Sequence, residues 1–207
     1  MITKVILDFE TSGLNPYHDD IIEIAMKELN TDNVFTCLVR PKSDSLVSDK
    51  ISKITGITNK MLKKDGLQWE DAYRSANEWL LNLYRSTNNL TIISHNGESF
   101  DFIFLRRIFR DLKQLSIPSV VAVNNVIFID TLLLAKRLIP GRDYYNQKSL
   151  CNTYRINSEG GHRALNDVIA LEQLFIQFVS LLDKEFNKRR TIMDNPRGIH
   201  DYCFLKI

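Results

Sequence analysis

The sequence contains no run of about 18 apolar residues and no basic stretch leading into an apolar one, so it shows the pattern of neither a membrane span nor a secretory signal. The reading is therefore of an intracellular protein, in cytoplasm or nucleus, with no membrane partner. Cysteine is scarce: Cys37, Cys151 and Cys203 lie far apart and are odd in number, which argues against a disulfide framework or a zinc knuckle. Charge of one sign is also lacking. With 27 basic and 25 acidic residues the net charge is +2, too small for a general nucleic-acid coat, so nucleic acid would have to be gripped locally. There is no internal repeat, low-complexity tract or evident interdomain linker. What remains is 207 residues, 44% hydrophobic and 25% charged, enough for one domain with a sizeable core.

Hydrophobic periodicity predicts alternating strands and helices. Residues 2–9, 20–29 and 33–40 read as strands, the last two joined by the polar turn Thr31-Asp32-Asn33 in an antiparallel meander. From 68 to 86, Trp69, Ala72, Tyr73, Ala76, Trp79, Leu80, Leu83 and Tyr84 recur at spacings of three and four, an amphipathic packing helix. Residues 90–94 form a strand leading into a helix over 99–115, and 126–129 a strand leading into a helix over 131–138. Short helices are read at 49–55, 59–64 and 147–154. A long, largely apolar helix over 163–187 closes a domain spanning 1–187, and 188–207 form a basic, then mixed, tail. The sum is one mixed sheet with helices on its faces.

Three stretches set acids where an element ends. In Asp8-Phe9-Glu10, side chains two apart on a strand share a face, so both carboxylates point one way and Phe9 the other. Like charges so placed repel unless neutralised. Hard oxygen ligands suit Mg²⁺ or Mn²⁺, and no His/Cys cluster suits zinc. Alone the pair carries little, because a D-x-E arises about once by chance in a chain of this length at average acid content. The second stretch, 93–109, places a polar turn with His95, Asn96 and Phe100 before Asp101 in the first turn of a helix. There the macrodipole favours an acid whatever its role, while an aromatic beside a carboxylate would also suit a bound ring or sugar. In the third, 160–171, five residues turn a helix by about 140°, so His162 and Asp167 serve one site only if one lies outside the regular helix. Gly160-Gly161 put His162 in a flexible lead-in and leave Asp167 on the helix.

Together, from residue 2 to 182, these stretches resemble the DEDDh exonuclease superfamily, the DnaQ-like group that includes proofreading subunits of bacterial replicative polymerases. The first motif, D-x-E-T-[TS]-G-[LM], is matched by Asp8 to Leu14. The second, H-N-x-x-F-D, is matched by His95, Asn96, Phe100 and Asp101 with one extra residue, a spacing shown by the three-prime repair exonucleases. The third, H-x-A-x-x-D-x-x-A, is matched by His162, Ala164, Asp167 and Ala170. Weaker echoes are Ile54 to Thr58 and Lys148-Ser149-Leu150.

The resemblance implies an α/β, ribonuclease H-like fold: a central mixed five-stranded sheet, three antiparallel N-terminal strands plus two parallel ones, flanked by helices. It implies a 3′–5′ exonuclease with Asp8, Glu10, Asp101 and Asp167 as ligands to two Mg²⁺ or Mn²⁺ ions and His162 as general base. Thr11, Leu14, Asn96 and Phe100 would hold the terminal nucleotide. The implied partners are single-stranded DNA or frayed 3′ ends, RNA as the alternative, and a polymerase or repair protein. The H-N-G form of the second motif favours DNA; the H-R-A-L-x-D form of the third also occurs in oligoribonucleases. An inactive relative that only binds ends would be expected to lack at least one of the five catalytic residues.

Other residues are read plainly. Arg106, Arg107, Arg110, Lys184, Lys188, Arg189 and Arg190 would either contact phosphates farther along a strand or form solvated helix faces. Asp130, in Asp-Thr before a helix, reads as an N-cap. Asp19, Asp20 and Glu23 read as strand-start acids without a partner, His18 and His200 as unmotivated, and Trp69 and Trp79 as core.

Overall fold

A computed structural model describes residues 2–43, 45–120, 126–158, 163–185 and 197–200. Strands β1 (Thr3–Thr11), β2 (Ile21–Glu28), β3 (Val34–Leu38), β4 (Leu90–Ser94) and β5 (Val126–Asp130) form one sheet in the order β3-β2-β1-β4-β5. β1 pairs antiparallel with β2, which pairs antiparallel with β3; β4 runs parallel to both β1 and β5. β1 is thus the central strand. The expected mixed five-stranded sheet is borne out.

The helices are α1 (Asp49–Thr55), α2 (Asn59–Asp65), α3 (Trp69–Thr87), α4 (Asp101–Gln114), α5 (Thr131–Leu138), α6 (Gln147–Thr153) and α7 (Ala164–Glu185). Local chemistry sets their ends. Ser48, Thr58 and Asn146 cap α1, α2 and α6 by accepting backbone N–H groups, and Gly56 closes α1 at φ 71° in the left-handed region. β1 runs two residues beyond the expected end. The expected helix over 99–115 instead begins as a 3₁₀ turn, Gly97–Ser99, followed by α4.

The pleat of β1 divides the core. Val5, Leu7 and Phe9 join Ile92, Phe102, Phe104, Leu105 and Leu80 in a cluster under α3 and α4, where the Phe9 and Phe104 rings meet edge-on at 6.4 Å. Ile6, with Ala25, Ile93 and Ile129, faces Val168, Leu171, Phe175 and Phe178 of α7. Trp69 and Trp79 pack against the first cluster, as read from the sequence.

α7 qualifies by composition as a span: Ala164–Lys184 averages a hydropathy of 1.4, making it the one helix among the described residues long and apolar enough to cross a membrane. Its setting explains the composition. Val168, Leu171, Leu174, Phe175 and Phe178 are fully buried and form the apolar stripe by which the helix packs on the sheet, while Ile169 and Ile176 add apolar residues on its exposed side. From the tail, residues 197–200 are helical and Ile199 is buried in the same cluster; Lys188, Arg189 and Arg190 lie outside the described residues.

If α7 is the keystone of this layer, Phe178→Ala should lower unfolding free energy by about 3–5 kcal/mol. The half-exposed Ile176→Ala should cost well under half as much. Urea denaturation of the two variants checks the difference.

Candidate active site

The site grows from the end of β1. Asp8 and Glu10 continue the face begun by Ile6, toward α7, while Phe9 enters the opposite core. Directly after Glu10 the β1–β2 register shifts: Glu10 lies opposite Glu23, but Thr11 opposite Ile21. That irregularity bends the strand away. The loop beyond is tightly knit. Thr11 Oγ1 donates to the Gly13 carbonyl at 2.6 Å, Ser12 N to the Asp20 carbonyl at 2.8 Å, and Asp20 N to Ser12 Oγ at 2.9 Å. Gly13 has no room for a Cβ, because the Asp19 carboxylate occupies that space while accepting Asn15 N at 2.7 Å. From α4, Arg107 donates to the Pro16 and Asp19 carbonyls, both at 2.7 Å. The loop so held displays Leu14 at 85% exposure, whereas Thr11 is buried.

The second wall follows β4. Asn96 adopts a left-handed conformation, φ 63°, which asparagine tolerates. The 3₁₀ turn takes up the residues between Asn96 and Phe100, and Gly97 lies so close to Phe102 that a Cβ would come within 2.6 Å of its ring. Asp130 organises this turn: its carboxylate accepts Asn96 N at 3.0 Å, Glu98 N at 3.1 Å and, as the expected cap of α5, Leu132 N at 2.8 Å. Asp101 then opens α4. Its two oxygens accept Phe9 N at 3.2 Å and Ser94 Oγ at 2.6 Å, joining α4, β1 and β4 through one buried carboxylate. His95 turns elsewhere, to Thr131 Oγ1 and the Tyr145 carbonyl, both at 2.9 Å.

The third wall is the first turn of α7, which carries Asp167. One oxygen from each of Asp8, Glu10 and Asp167 lies within 4.8 Å of the others, the one such group of acids, histidines or cysteines among the described residues. Asp101 is not in that group, although it acts on Asp8 and Glu10 electrostatically. His162, Gly160 and Gly161 lie outside the described residues. Leu14, Asn96 and Phe100 border this end of the sheet through the loops just described, and Phe100 packs edge-on against Phe104 at 5.1 Å.

Burial and mutual repulsion set the electrostatics. Asp8 is held well above the usual carboxylate range, first by burial and then by Asp101, Asp167, Glu10 and Glu23. Burial, with Asp167 and Glu23, pushes Glu10 up to about 8. Asp101 is pushed up to about 7 by burial, against the bonds from Ser94 and Phe9 that favour its charged form. At an effective dielectric near 20, two full charges about 4.8 Å apart repel by about 3–4 kcal/mol. Three such pairs rival the whole stability of a typical domain, about 5–15 kcal/mol. Close, partly buried, oxygen-only donors therefore fit a hard divalent cation.

Three expectations need correction. Glu23 does have partners: it is buried, and its carboxylate accepts Arg163 Nη2 at 2.7 Å and Ala164 N at 2.9 Å. Asp20 likewise accepts Ser43 N at 2.9 Å and the Ser43 hydroxyl, and Asp19 closes the loop on Gly13. An acid inside the apolar run Ile21 to Ala25 was the available signal for Glu23, but only the strand register shows what it faces. Of the arginines on α4, Arg107 is committed to backbone carbonyls, while Arg106 and Arg110 lie 3.9 and 3.7 Å from Glu98 and Asp111.

The acid cluster has a pH signature. Because Glu10 binds its proton more tightly folded than unfolded, the native state carries the extra proton between about 4.5 and about 8. Its contribution to stability is complete below that window and is lost as pH rises through it. In chelator the melting temperature should fall between about pH 5 and 8.5, and saturating Mn²⁺ should raise it more at the upper end; a flat profile would contradict the cluster. Thermal melts with and without chelator check this.

The exonuclease family model RNase_T matches residues 5–175. The chain is 33% identical over 208 residues to the PolC-type DNA polymerase III of Thermotoga petrophila, covering 99% of this chain but 14% of that protein. It is 30% identical over 207 residues to the DNA polymerase III subunit epsilon of Rickettsia typhi, covering 97% of this chain and 82% of that one. The chain thus spans about one-seventh of the PolC-type relatives it matches. Among solved structures, E. coli exonuclease I in complex with a dT13 oligonucleotide superposes with a TM-score of 0.74 at 19% identity, over 90% of this chain and 43% of that one. The likeness to exonuclease I is one of fold, and it agrees with the ribonuclease H-like arrangement of the sheet. The match across most of its length, on a sheet that gathers Asp8, Glu10 and Asp167 at one end, makes this chain a member of the RNase_T exonuclease family, the DnaQ-like group.

Proposed function

We propose that this protein is a metal-dependent 3′–5′ exonuclease that releases nucleoside 5′-monophosphates from the 3′ end of a nucleic acid, DNA in preference to RNA. The observation that carries the reading is the group Asp8, Glu10 and Asp167, half-buried and within 4.8 Å of one another, with buried Asp101 beside it. Asp8, Glu10, Asp101 and Asp167 would hold two Mg²⁺ or Mn²⁺ ions. Bound there, such ions would lower the pKa of a water and offset charge on the attacking and leaving oxygens.

The chain's own residues supply the rest. Mounted on a central strand, Asp8 and Glu10 are held stiffly, and Asp101 is fixed by Phe9 N and Ser94 Oγ. His162 takes the proton from the attacking water; its unperturbed pKa of about 6.5 suits that task near neutral pH. Exposed Leu14, on a loop braced by Arg107, meets the terminal base, with Phe100, Asn96 and Thr11 completing the nucleotide site. Stacking on such side chains is worth about 1–3 kcal/mol per base and tolerates any sequence.

DNA is supported by the relatives, which are named as DNA polymerase III proteins. By the same token a polymerase is the partner we infer, with frayed or single-stranded 3′ ends as the substrate. The second reading, an exoribonuclease, draws on the H-R-A-L-x-D form of residues 162–167.

Asp8→Ala and His162→Ala should each abolish Mg²⁺-dependent shortening of a 5′-labelled oligonucleotide, by a factor of at least about 100, with the circular dichroism spectrum unchanged. Full activity in either variant would sink the assignment. Single-stranded DNA, duplex DNA with a mismatched 3′ end and RNA, each with Mg²⁺, Mn²⁺ or chelator, decide the substrate.

A further inference from the structure

We propose that Glu23 and Arg163 are a positioning pair that seats the first turn of α7, and with it Asp167, against the carboxylates of β1. The inference rests on the exonuclease reading for its kinetic outcome only.

Glu23 is 2% exposed in a strand segment otherwise made of Ile21, Ile22, Ile24 and Ala25. Burying a charge there is strongly unfavourable unless it is paired. Its place is worse still, directly opposite Glu10 in the β1–β2 register, where like charges repel. A position needed only for packing would be better filled by an apolar residue.

The bonds explain the acid. Oε1 accepts Arg163 Nη2 at 2.7 Å and Nε at 3.2 Å; Oε2 accepts Ala164 N at 2.9 Å and Nε at 3.3 Å. One carboxylate therefore holds both the guanidinium fork and the first N–H of α7, capping the helix from a neighbouring strand. The Arg163 carbonyl in turn accepts Asn166 N at 2.9 Å and Asp167 N at 3.2 Å. Any shift of Arg163 is handed directly to Asp167. The Arg163 side chain, 43% exposed, also supplies positive charge beside Glu10.

The same helix holds an internal control. Glu172 is another buried acid linking α7 to the β2 side, accepting Lys27 Nζ and Asn30 N, both at 2.7 Å. It lies eight residues past Ala164, about 12 Å along the helix, and does not touch the cluster. A tether that served stability alone would behave alike at both places.

The experiment compares Glu23→Gln, Arg163→Gln and Glu172→Gln in the full chain. Three quantities are read: amide exchange over 164–167 in chelator, Mn²⁺ affinity by calorimetry, and kcat and KM on a 5′-labelled DNA oligonucleotide. Glu23→Gln and Arg163→Gln should speed exchange at the start of α7, weaken Mn²⁺ binding by about tenfold, as loss of a residue that orients metal ligands does, and lower kcat by a similar factor with KM little changed. Glu172→Gln should lower the melting temperature and leave Mn²⁺ affinity and kcat as in the wild type. Wild-type Mn²⁺ affinity in a folded Glu23→Gln, or equal losses in Glu172→Gln, would overturn the proposal. If Glu23→Gln does not fold, Arg163→Gln, altered at a half-exposed group, carries the test. A wild-type protein that cuts no nucleic acid would end the exonuclease reading, and exchange and Mn²⁺ affinity would still decide the positioning pair.

Discussion

The mutual repulsion of Asp8, Glu10, Asp101 and Asp167, with Glu23 behind them, is the interaction around which the rest of this structure is arranged. Left alone, such charges would push the strand and both helices apart, so every element that meets there carries a countermeasure. Asp101 is tied by Phe9 N and Ser94 Oγ, Glu23 by Arg163 and Ala164 N, and Asp167 sits in the first turn of α7, where the helix dipole favours negative charge. What these bonds leave uncompensated raises the proton affinity of Asp8 and Glu10 and suits the cluster to a divalent cation.

The sheet makes this strain bearable. β1 has a strand on each side, and its two faces are fully packed, Ile6 under α7 and Phe9 under α4. A mount that stiff holds carboxylates near one another when electrostatics opposes it. The loops at its tip are braced for the same reason, by Arg107 on one side and Asp130 on the other, so Leu14 and Asn96 stand on backbone held by side chains from other elements.

Much of the fold was legible from periodicity. The three-strand meander, α3 and the pairing of a strand with a following helix at 90–94 and 126–130 all follow from alternation and three-four spacing. Ends were less legible. β1 continues past Phe9 because its pairing with β2 persists through a register shift, and the turn before α4 is 3₁₀ because Asp130, distant in sequence, holds its amides. The role of Glu23 is hidden from local spacing for a similar reason: its partners, Arg163 and Ala164, are 140 and 141 residues away.

By itself the sequence determined which residue types stand at the ends of which elements: Asp8 and Glu10 on one face of a strand, Asp101 and Asp167 in the first turns of helices, through the two- and 3.6-residue periods of the backbone. Their joint match to the family's motifs also supplied the family. Only the tertiary structure decided that Asp8, Glu10 and Asp167 come within 4.8 Å, that Asp101 is anchored through both oxygens, and that Glu23 stands behind Glu10 with Arg163. Those facts depend on strand register and on how α7 crosses the sheet, and distances between residues far apart in the chain are set by packing, not by local spacing.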